Sequence, residues 1–223
     1  MIKLIKTADL GEIVSYLADA INTQLASGEN VLWLLSGGSA ITVAVETQKA
    51  IDQPKLKNVT VTLGDERYGQ PGHKDSNWQQ LTAAGFNFQT VRALPVLQGK
   101  DVQQTKTDYE NMLLQEMRSG KYIIGLFGIG PDGHTAGILP GSPAVDSQQL
   151  VSVFSGPDFP RITITGRAIQ LVDLAVAYAV GEAKREALLK LEQQDLSIRE
   201  QPAQALKLAK KAVVFNDQTG GAV

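Results

Sequence analysis

The stretch Val31-Leu32-Trp33-Leu34-Leu35-Ser36-Gly37-Gly38-Ser39 joins five consecutive apolar residues to a short loop of serines and glycines. Successive residues of a strand point to opposite faces, so a strand that is apolar throughout is buried on both faces. Parallel sheets covered by helices need strands of this kind. The segment that follows has Ile41, Ala44, Val45 and Ile51 at helical spacing. The stretch therefore predicts a strand, a glycine turn and a helix within a parallel sheet.

The same alternation of strand and helix continues along the chain. Further strands are predicted at residues 59–63, 122–127 and 174–180, with weaker ones at 150–154, 161–165 and 213–215. Segments with helical periodicity separate them, for example residues 10–25. This pattern predicts a single α/β domain over residues 1–223, Rossmann-like, with a mainly parallel sheet and helices on both faces. Ligands of such sheets bind at the carboxyl ends of the strands.

Composition excludes several kinds of chemistry. The 223 residues include no cysteine and only two histidines, His73 and His134. A cysteine nucleophile, a thiolate zinc site and an iron–sulfur cluster are excluded, and a site with several histidine ligands is not expected. The net charge of -2 lacks the basic excess of a nucleic-acid-binding protein. Because there is neither a secretory signal pattern nor an apolar run long enough for a membrane, we expect a cytoplasmic protein.

Two predicted strand ends carry groups that suit an anionic ligand. Backbone N–H groups of residues 36–39 and the helix that follows can hold an anion, although many Gly-Gly turns serve geometry alone. Asp65, Glu66 and Arg67 follow the second strand, where charged groups need a partner or a ligand if they are buried. A solvated Asp65–Arg67 ion pair is the alternative interpretation.

The strand at residues 122–127 is followed by Gly128-Ile129-Gly130-Pro131-Asp132-Gly133-His134-Thr135. The glycines fit the dinucleotide-binding pattern G-x-G-x-x-G, but Asp132 would place a carboxylate beside a pyrophosphate. The alternative is a glycine-shaped loop that holds Asp132 beside His134, which suits a general base. We favour this second interpretation. His73 lies in a polar loop without a partner motif and is expected to be an ordinary surface residue.

Two further basic residues are candidates for binding an anion. Lys184 is predicted in the first turn of a helix, where the helix dipole disfavours a cation unless an anion is bound nearby. Arg161 opens one of the weaker strands. For both residues a solvated surface charge remains the alternative. Together the four loops predict a small phosphorylated substrate that undergoes proton transfer or hydrolysis.

At these residues the sequence resembles the 6-phosphogluconolactonase family, within the wider group that includes glucosamine-6-phosphate deaminases. The matching segments are Ser36-Gly37-Gly38-Ser39, Asp65-Glu66-Arg67, Ser76-Asn77, Gly128-x-Gly130-x-Asp132-Gly133-His134-Thr135-Ala136, Arg161-x-Thr163 and Gly181-x-x-Lys184. The segment after His134 lacks the glutamate of the deaminases. The chain departs from the family pattern at Ala40-Ile41, Gly69-Gln70, Gly137-Ile138 and near the C-terminus.

The resemblance implies hydrolysis of 6-phosphoglucono-δ-lactone to 6-phosphogluconate in the oxidative pentose phosphate pathway. It assigns the general base to His134, supported by Asp132, and the oxyanion contact to Arg67, with Asp65 as a second possible base. The phosphorylated substrate would be bound by Ser36, Gly37, Gly38, Ser39, Asn77, Arg161 and Lys184. No metal, organic cofactor, nucleic acid or membrane partner is implied. The alternatives are an amino-sugar-phosphate isomerase/deaminase and a sugar-phosphate-binding module without catalysis.

Overall fold

The computed structural model describes residues 2–221 of the chain, so residues 1, 222 and 223 of the predicted domain lie outside it. Ten strands are present in that range. They are β1 (Ile2–Lys6), β2 (Val31–Leu35), β3 (Val59–Leu63), β4 (Asp65–Arg67), β5 (Arg92–Ala93), β6 (Tyr122–Gly128), β7 (Val151–Ser155), β8 (Pro160–Ile164), β9 (Leu174–Ala179) and β10 (Lys211–Asn216).

Seven of these strands form one sheet in the order β1-β10-β9-β6-β2-β3-β5. Every neighbouring pair in this sheet is parallel. All five residues of β2 are buried, as are all five of β3, so both faces of the sheet are covered. The predicted class, an α/β domain with a mainly parallel sheet and helices on both faces, is confirmed.

Six α-helices lie within residues 2–221, and aspartate side chains cap two of them. They are α1 (Leu10–Ala26), α2 (Ala40–Ala50), α3 (Asn77–Ala83), α4 (Val102–Met117), α5 (Gly166–Ile169) and α6 (Arg185–Gln193). Asp9 accepts a hydrogen bond from the N–H of Gly11, and Asp101 accepts from those of Gln103 and Gln104. Within residues 2–221, none of the helices combines the length and apolar character needed to cross a bilayer.

The remaining strands form a separate antiparallel sheet in the order β4-β8-β7. The weak strands predicted near residues 150–154 and 161–165 exist, but they pair with each other and with β4 instead of extending the main sheet. The sequence analysis placed Asp65 to Arg67 in a loop, which is wrong. Strand β4 has only three residues, too few for its period-two pattern to be distinguished from a polar loop. Strands β1 and β5 were not predicted either. Lysines interrupt the apolar residues of β1, and β5 has only two residues, so neither has the continuous apolar run of the buried strands.

The order of the main sheet determines where a ligand can bind. From β2 the chain continues outward through β3 and β5, whereas β6, β9 and β10 are added on the other side of β2. The order therefore reverses between β2 and β6, and the loops after these two strands diverge from a common edge. A crevice at the carboxyl ends of the strands forms at such a switch point.

Candidate active site

A cavity of about 330 Å³ opens at this switch point. The sequence analysis named eleven candidate residues, and ten of them line the cavity; the exception is Asp132. The ten are Ser36, Gly37, Gly38, Ser39, Asp65, Arg67, Asn77, His134, Arg161 and Lys184. The structure therefore brings together residues from six separate segments of the chain.

Asp132 lies behind the histidine of the cavity. Its Oδ1 is 2.6 Å from Nδ1 of His134 and also accepts the backbone N–H of His134 at 3.1 Å. Because a carboxylate only accepts hydrogen bonds, this contact favours the tautomer that carries its proton on Nδ1. The other ring nitrogen, Nε2, then has a free lone pair that can take a proton. The arrangement is that of a histidine base oriented by an acid.

The loop that carries this pair is closed by its own backbone. The N–H of Gly130 donates to the carbonyl of His134 at 2.9 Å, and the N–H of Gly133 donates to that of Gly130 at 3.0 Å. Gly133 has a φ of 79°, which favours glycine. A side chain at Gly130 would collide with the ring of His134. The absence of a side chain at Gly130 thus lets the imidazole lie against the backbone. The glycine spacing of the loop is explained by this fit and by the turn at Gly133, and it does not require a bound dinucleotide.

The loop after β2 also has a specific fit. A Cβ atom at Gly37 would collide with the side-chain amide of Asn77, so the absent side chain leaves room for that amide. Gly38 has a φ of 62°. Helix α2 begins directly after Ser39, has no acidic residue in its first turn, and is not capped by the Ser39 side chain. Its N-terminal N–H groups and dipole favour an anion at this end of the cavity.

Strand β4 directs alternate side chains to opposite sides. Arg67 of β4 lies directly opposite Arg161 of β8, so the two guanidinium groups project from the same face. Like charges in facing positions repel each other. Asp65 is on the same face and its Oδ2 lies 4.0 Å from Nη1 of Arg161. One carboxylate thus balances two guanidinium groups, which leaves positive charge for an anionic ligand or transition state.

Burial affects the Asp65 carboxyl as well. It raises the pKa of Asp65 above its ordinary value, although Arg67 and Arg161 oppose this by favouring the charged form. Asp65 is only 5% exposed. A solvated Asp65–Arg67 ion pair, the alternative interpretation of the sequence, is therefore wrong.

Glu66 points away from the cavity, and the sequence analysis gave it no role. Its buried carboxylate accepts the N–H of Arg67 and that of Asn77, each at 2.7 Å. It also accepts the hydroxyl of Ser76 at 2.8 Å and the N–H of Trp78 at 3.1 Å. Glu66 therefore ties β4 to the start of α3 and fixes two cavity residues. The signal in the sequence was the position of Glu66 shortly after a buried strand.

The position of Lys184 differs from the prediction. It lies in a 3₁₀ turn, Glu182–Lys184, and immediately precedes α6 instead of occupying its first turn. Glycine at position 181, with a φ of 114°, makes the bend that separates the turn from β9. Burial lowers the pKa of Lys184, whereas the nearby Asp217 carboxylate raises it. A fully solvated lysine is therefore not what the structure shows.

Several polar atoms of the cavity residues are buried and have no hydrogen-bond partner within residues 2–221. They are Ser36 Oγ, Arg67 Nε, Asn77 Oδ1 and Arg161 Nε. Buried polar atoms are normally paired, so unpaired ones call for an explanation. Their concentration around one cavity is consistent with a polar ligand.

The expectation that His73 is an ordinary surface residue is wrong. His73 is half-buried, and its Nε2 lies 2.9 Å from the carbonyl oxygen of Arg67. It supports the loop after β4 and does not line the cavity. Across residues 2–221, no three His, Asp or Glu side chains are grouped so that they could hold a metal ion.

The sequence of the chain matches one known protein family. The family model described as glucosamine-6-phosphate isomerases/6-phosphogluconolactonase matches residues 7–215. The chain belongs to this family. The predicted resemblance is thereby confirmed.

Curated relatives of this family member are named 6-phosphogluconolactonase. The protein from Synechocystis is 27% identical over 198 residues, covering 84% of this chain and 82% of its own length. That from Mycobacterium leprae is 29% identical over 189 residues, covering 77% and 76%.

Solved structures of the family share the fold. The 6-phosphogluconolactonase of Thermotoga maritima superposes with a TM-score of 0.79 at 20% identity, over 97% of this chain and 98% of that chain. A monomeric glucosamine-6-phosphate deaminase superposes with a TM-score of 0.76 at 20% identity, over 96% and 97%. Because both branches share the fold, the fold alone does not distinguish their activities.

Proposed function

We propose that this protein hydrolyses 6-phosphoglucono-δ-lactone to 6-phosphogluconate, the reaction for which its curated relatives are named. The observation that carries the proposal is the His134–Asp132 pair at one side of a cavity that also holds three cationic side chains. A lactone carbonyl is electrophilic and needs a base, charge stabilisation and correct placement. The cavity offers all three.

His134 activates the water. Its Nε2 takes a proton from a water molecule as the water oxygen attacks the lactone carbonyl carbon, giving a tetrahedral oxyanion. When the bond between the carbonyl carbon and the ring oxygen breaks, the imidazolium returns the proton to the departing oxygen. Asp132, bonded to Nδ1, stabilises the imidazolium between these steps. Asp65 is a second possible base, but the neighbouring charges of Arg67 and Arg161 favour an electrostatic role for its carboxylate.

Arg67 stabilises the oxyanion in this proposal. Its Nη1 donates to the carbonyl of Asp75 at 2.7 Å, and its guanidinium lies 5.8 Å from the centre of the Phe159 ring. The group is therefore oriented before the substrate arrives. Loss of one such donor from a preorganised site costs about 3–4 kcal/mol in the transition state.

The phosphate is held at a distance from the reacting carbon. Residues 36–39 and the N-terminus of α2 supply N–H groups, and Lys184 and Arg161 supply charge. Asn77 lies against Gly37 and contributes an amide to the same wall. We expect these contacts to act on substrate binding more than on the chemical step.

The amino-sugar-phosphate deaminase is the main competing activity because the two branches share this fold. The residues after His134 read Thr135-Ala136-Gly137-Ile138-Leu139-Pro140, without a carboxylate. Deamination requires proton transfers at the sugar, and this segment offers no acid for them. The comparison therefore favours the lactonase.

Two substrates presented in parallel test the proposal. Freshly prepared 6-phosphogluconolactone is supplied with an excess of 6-phosphogluconate dehydrogenase, and NADPH formation is compared with the uncatalysed opening of the lactone. Glucosamine 6-phosphate is supplied separately, and ammonia release is measured. We expect acceleration of the first reaction only. Ammonia release would favour the deaminase, and binding without either reaction would favour a sugar-phosphate sensor.

A further inference from the structure

The turn that carries Lys184 begins after a glycine and includes a surface ion pair. Gly181 follows β9 with a φ of 114°, and its carbonyl accepts the N–H of Lys184 at 3.0 Å. The neighbouring Glu182 and Arg185 pair with each other at 3.5 Å and are mostly exposed. This turn therefore needs an anchor outside itself to keep the Lys184 ammonium at the cavity.

Asp217 provides such an anchor. It follows β10, whose last residue, Asn216, lies beside Ala179 of β9 in parallel register. Oδ1 of Asp217 accepts the backbone N–H of Gly181 at 3.0 Å. The hydrogen bond reaches the residue at which the chain turns away from the sheet, so it fixes the direction in which the turn leaves β9.

Asp217 also brings a negative charge to the lysine. Each of the two side chains favours the charged form of the other. Although burial opposes it, the pKa of Asp217 lies below its ordinary value because the N–H of Gly181 donates to the carboxylate. Asp217 is outside the lining of the cavity, so it can act only through the turn and through Lys184.

We propose that Asp217 is a positioning residue that aims Lys184 into the cavity and keeps it charged for the phosphate of the substrate. This inference rests on the proposed function, because that function supplies the phosphate. Asp217 is 33 positions from Lys184 in the chain, so no local sequence pattern links the two residues. Only the pairing of β9 with β10 brings the two together.

Burial lowers the pKa of the Lys184 ammonium group, so among the phosphate-binding groups this charge is the one that we expect to be lost on the alkaline side. The phosphate of a sugar phosphate is fully ionised above about pH 7, and arginine guanidinium groups stay charged at alkaline pH. Burial and the Asp217 charge raise the pKa of Tyr178, which also faces Asp217. The charged and titratable groups around Lys184 are Asp217, Tyr178, Glu182, Arg185, and the cavity residues Asp65, Arg67, His134 and Arg161.

Calorimetric binding of 6-phosphogluconate, the stable reaction product, tests the proposal between about pH 7 and about pH 10. Asp217→Asn keeps an oxygen for the Gly181 N–H but removes the charge, whereas Asp217→Ala removes both. Asp195→Asn is the matched control because Asp195 pairs with a lysine, Lys207, at 2.8 Å on the surface. Gluconate, which lacks the phosphate, is titrated in parallel.

Near pH 7 we expect Asp217→Asn to bind 6-phosphogluconate almost as well as wild type does. On the alkaline side its affinity should begin to fall at a lower pH than that of wild type. Asp217→Ala should bind more weakly at every pH, and Asp195→Asn should follow wild type. A merely structural role would weaken binding by the same factor at every pH. That result, or two Asp217 variants indistinguishable from wild type, would overturn the proposal.

The same titrations separate this inference from the proposed function. If wild type binds 6-phosphogluconate no better than gluconate, the phosphate site is wrong and the role of Asp217 falls with it. If wild type requires the phosphate but the Asp217 variants keep its pH profile, only the present inference fails.

Discussion

Nδ1 of His134 lies 2.6 Å from Oδ1 of Asp132, and only the histidine lines the cavity. The two side chains are 37% and 50% exposed, so the pair contributes little to the core. The pair lies at the reversal of strand order, where parallel sheets form a crevice for a ligand. We therefore expect conservative replacements in this pair to leave the fold intact.

Asp132→Asn should lower kcat while leaving the fold intact. The amide oxygen can still accept the backbone N–H of His134, but the charge that stabilises an imidazolium is lost. General base catalysis supplies about 10²- to 10⁴-fold, and we expect this variant to lose a large part of it. Steady-state kinetics and the unfolding midpoint check this. An unchanged kcat would show that Asp132 does not support the base.

Gly130→Ala should displace the His134 ring, because the added methyl group would collide with it. A misplacement of about 1 Å at a catalytic group can cost about 10²-fold in rate. Gly64→Ala is the control, since the nearest heavy atom to its Cβ lies at 3.6 Å, an ordinary contact. Equal activities of the two variants would refute the proposed fit between Gly130 and the imidazole.

Glu66→Gln should reduce both stability and activity. Whichever way the amide is turned, its NH₂ group meets a backbone N–H that the carboxylate had accepted. A buried donor left without an acceptor costs about 1–3 kcal/mol in the free energy of unfolding. Denaturant unfolding measures the loss, and kcat/KM reports the displacement of Arg67 and Asn77.

The surface variant Glu46→Gln serves as a control for Glu66→Gln. Glu46 pairs with Lys49 in an exposed position, where such a change usually alters stability by no more than about 0.5 kcal/mol. If the two variants were equally stable, Glu66 would not have the organising role that its four hydrogen bonds indicate.

Asp65→Asn should be more stable than wild type at neutral pH although less active. Burial raises the pKa of Asp65 in the folded chain, so folding favours the protonated carboxyl. The contribution of the protonated Asp65 carboxyl to the free energy of unfolding is complete below about pH 4, and it is lost as the pH rises through the pKa of Asp65 in the folded chain. An amide resembles the protonated form and should avoid that loss.

Unfolding of both proteins at about pH 4 and about pH 7 tests this sign. The stability advantage of Asp65→Asn should be larger at the higher pH. An advantage confined to the lower pH would mean that the Arg67 and Arg161 charges outweigh burial.

Local patterns allowed five of the seven strands of the main sheet, and most of the residues that line the cavity, to be predicted. An entirely apolar strand such as Val31–Leu35 reveals burial on both faces, and parallel strands bring their carboxyl ends to one edge. That geometry places His134, Lys184 and residues 36–39 together without knowledge of any distance. The motif around Asp132 and His134 is also local in the chain, so its internal contact could be anticipated.

The missed features depend on pairing between distant segments. Nothing local shows that Arg67 faces Arg161, because this follows from the antiparallel register of β4 and β8. Glu66 reads as one more charged residue until α3 is folded onto it, and Asp217 meets Gly181 only through the neighbouring strands β9 and β10. Sequence periodicity indicates which face of a strand is buried, but it does not identify the partner.

The central claim is that His134 is the base for lactone hydrolysis, and replacement by asparagine tests it most directly. His134→Asn keeps a side-chain N–H near Asp132 but removes the nitrogen that would take the proton from water. Lactone opening above the uncatalysed background is measured for the variant and for wild type at equal concentration, with 6-phosphogluconate binding as the check on the cavity. We predict a loss of about 10²- to 10⁴-fold in kcat with binding retained. Wild-type turnover by His134→Asn would contradict the account.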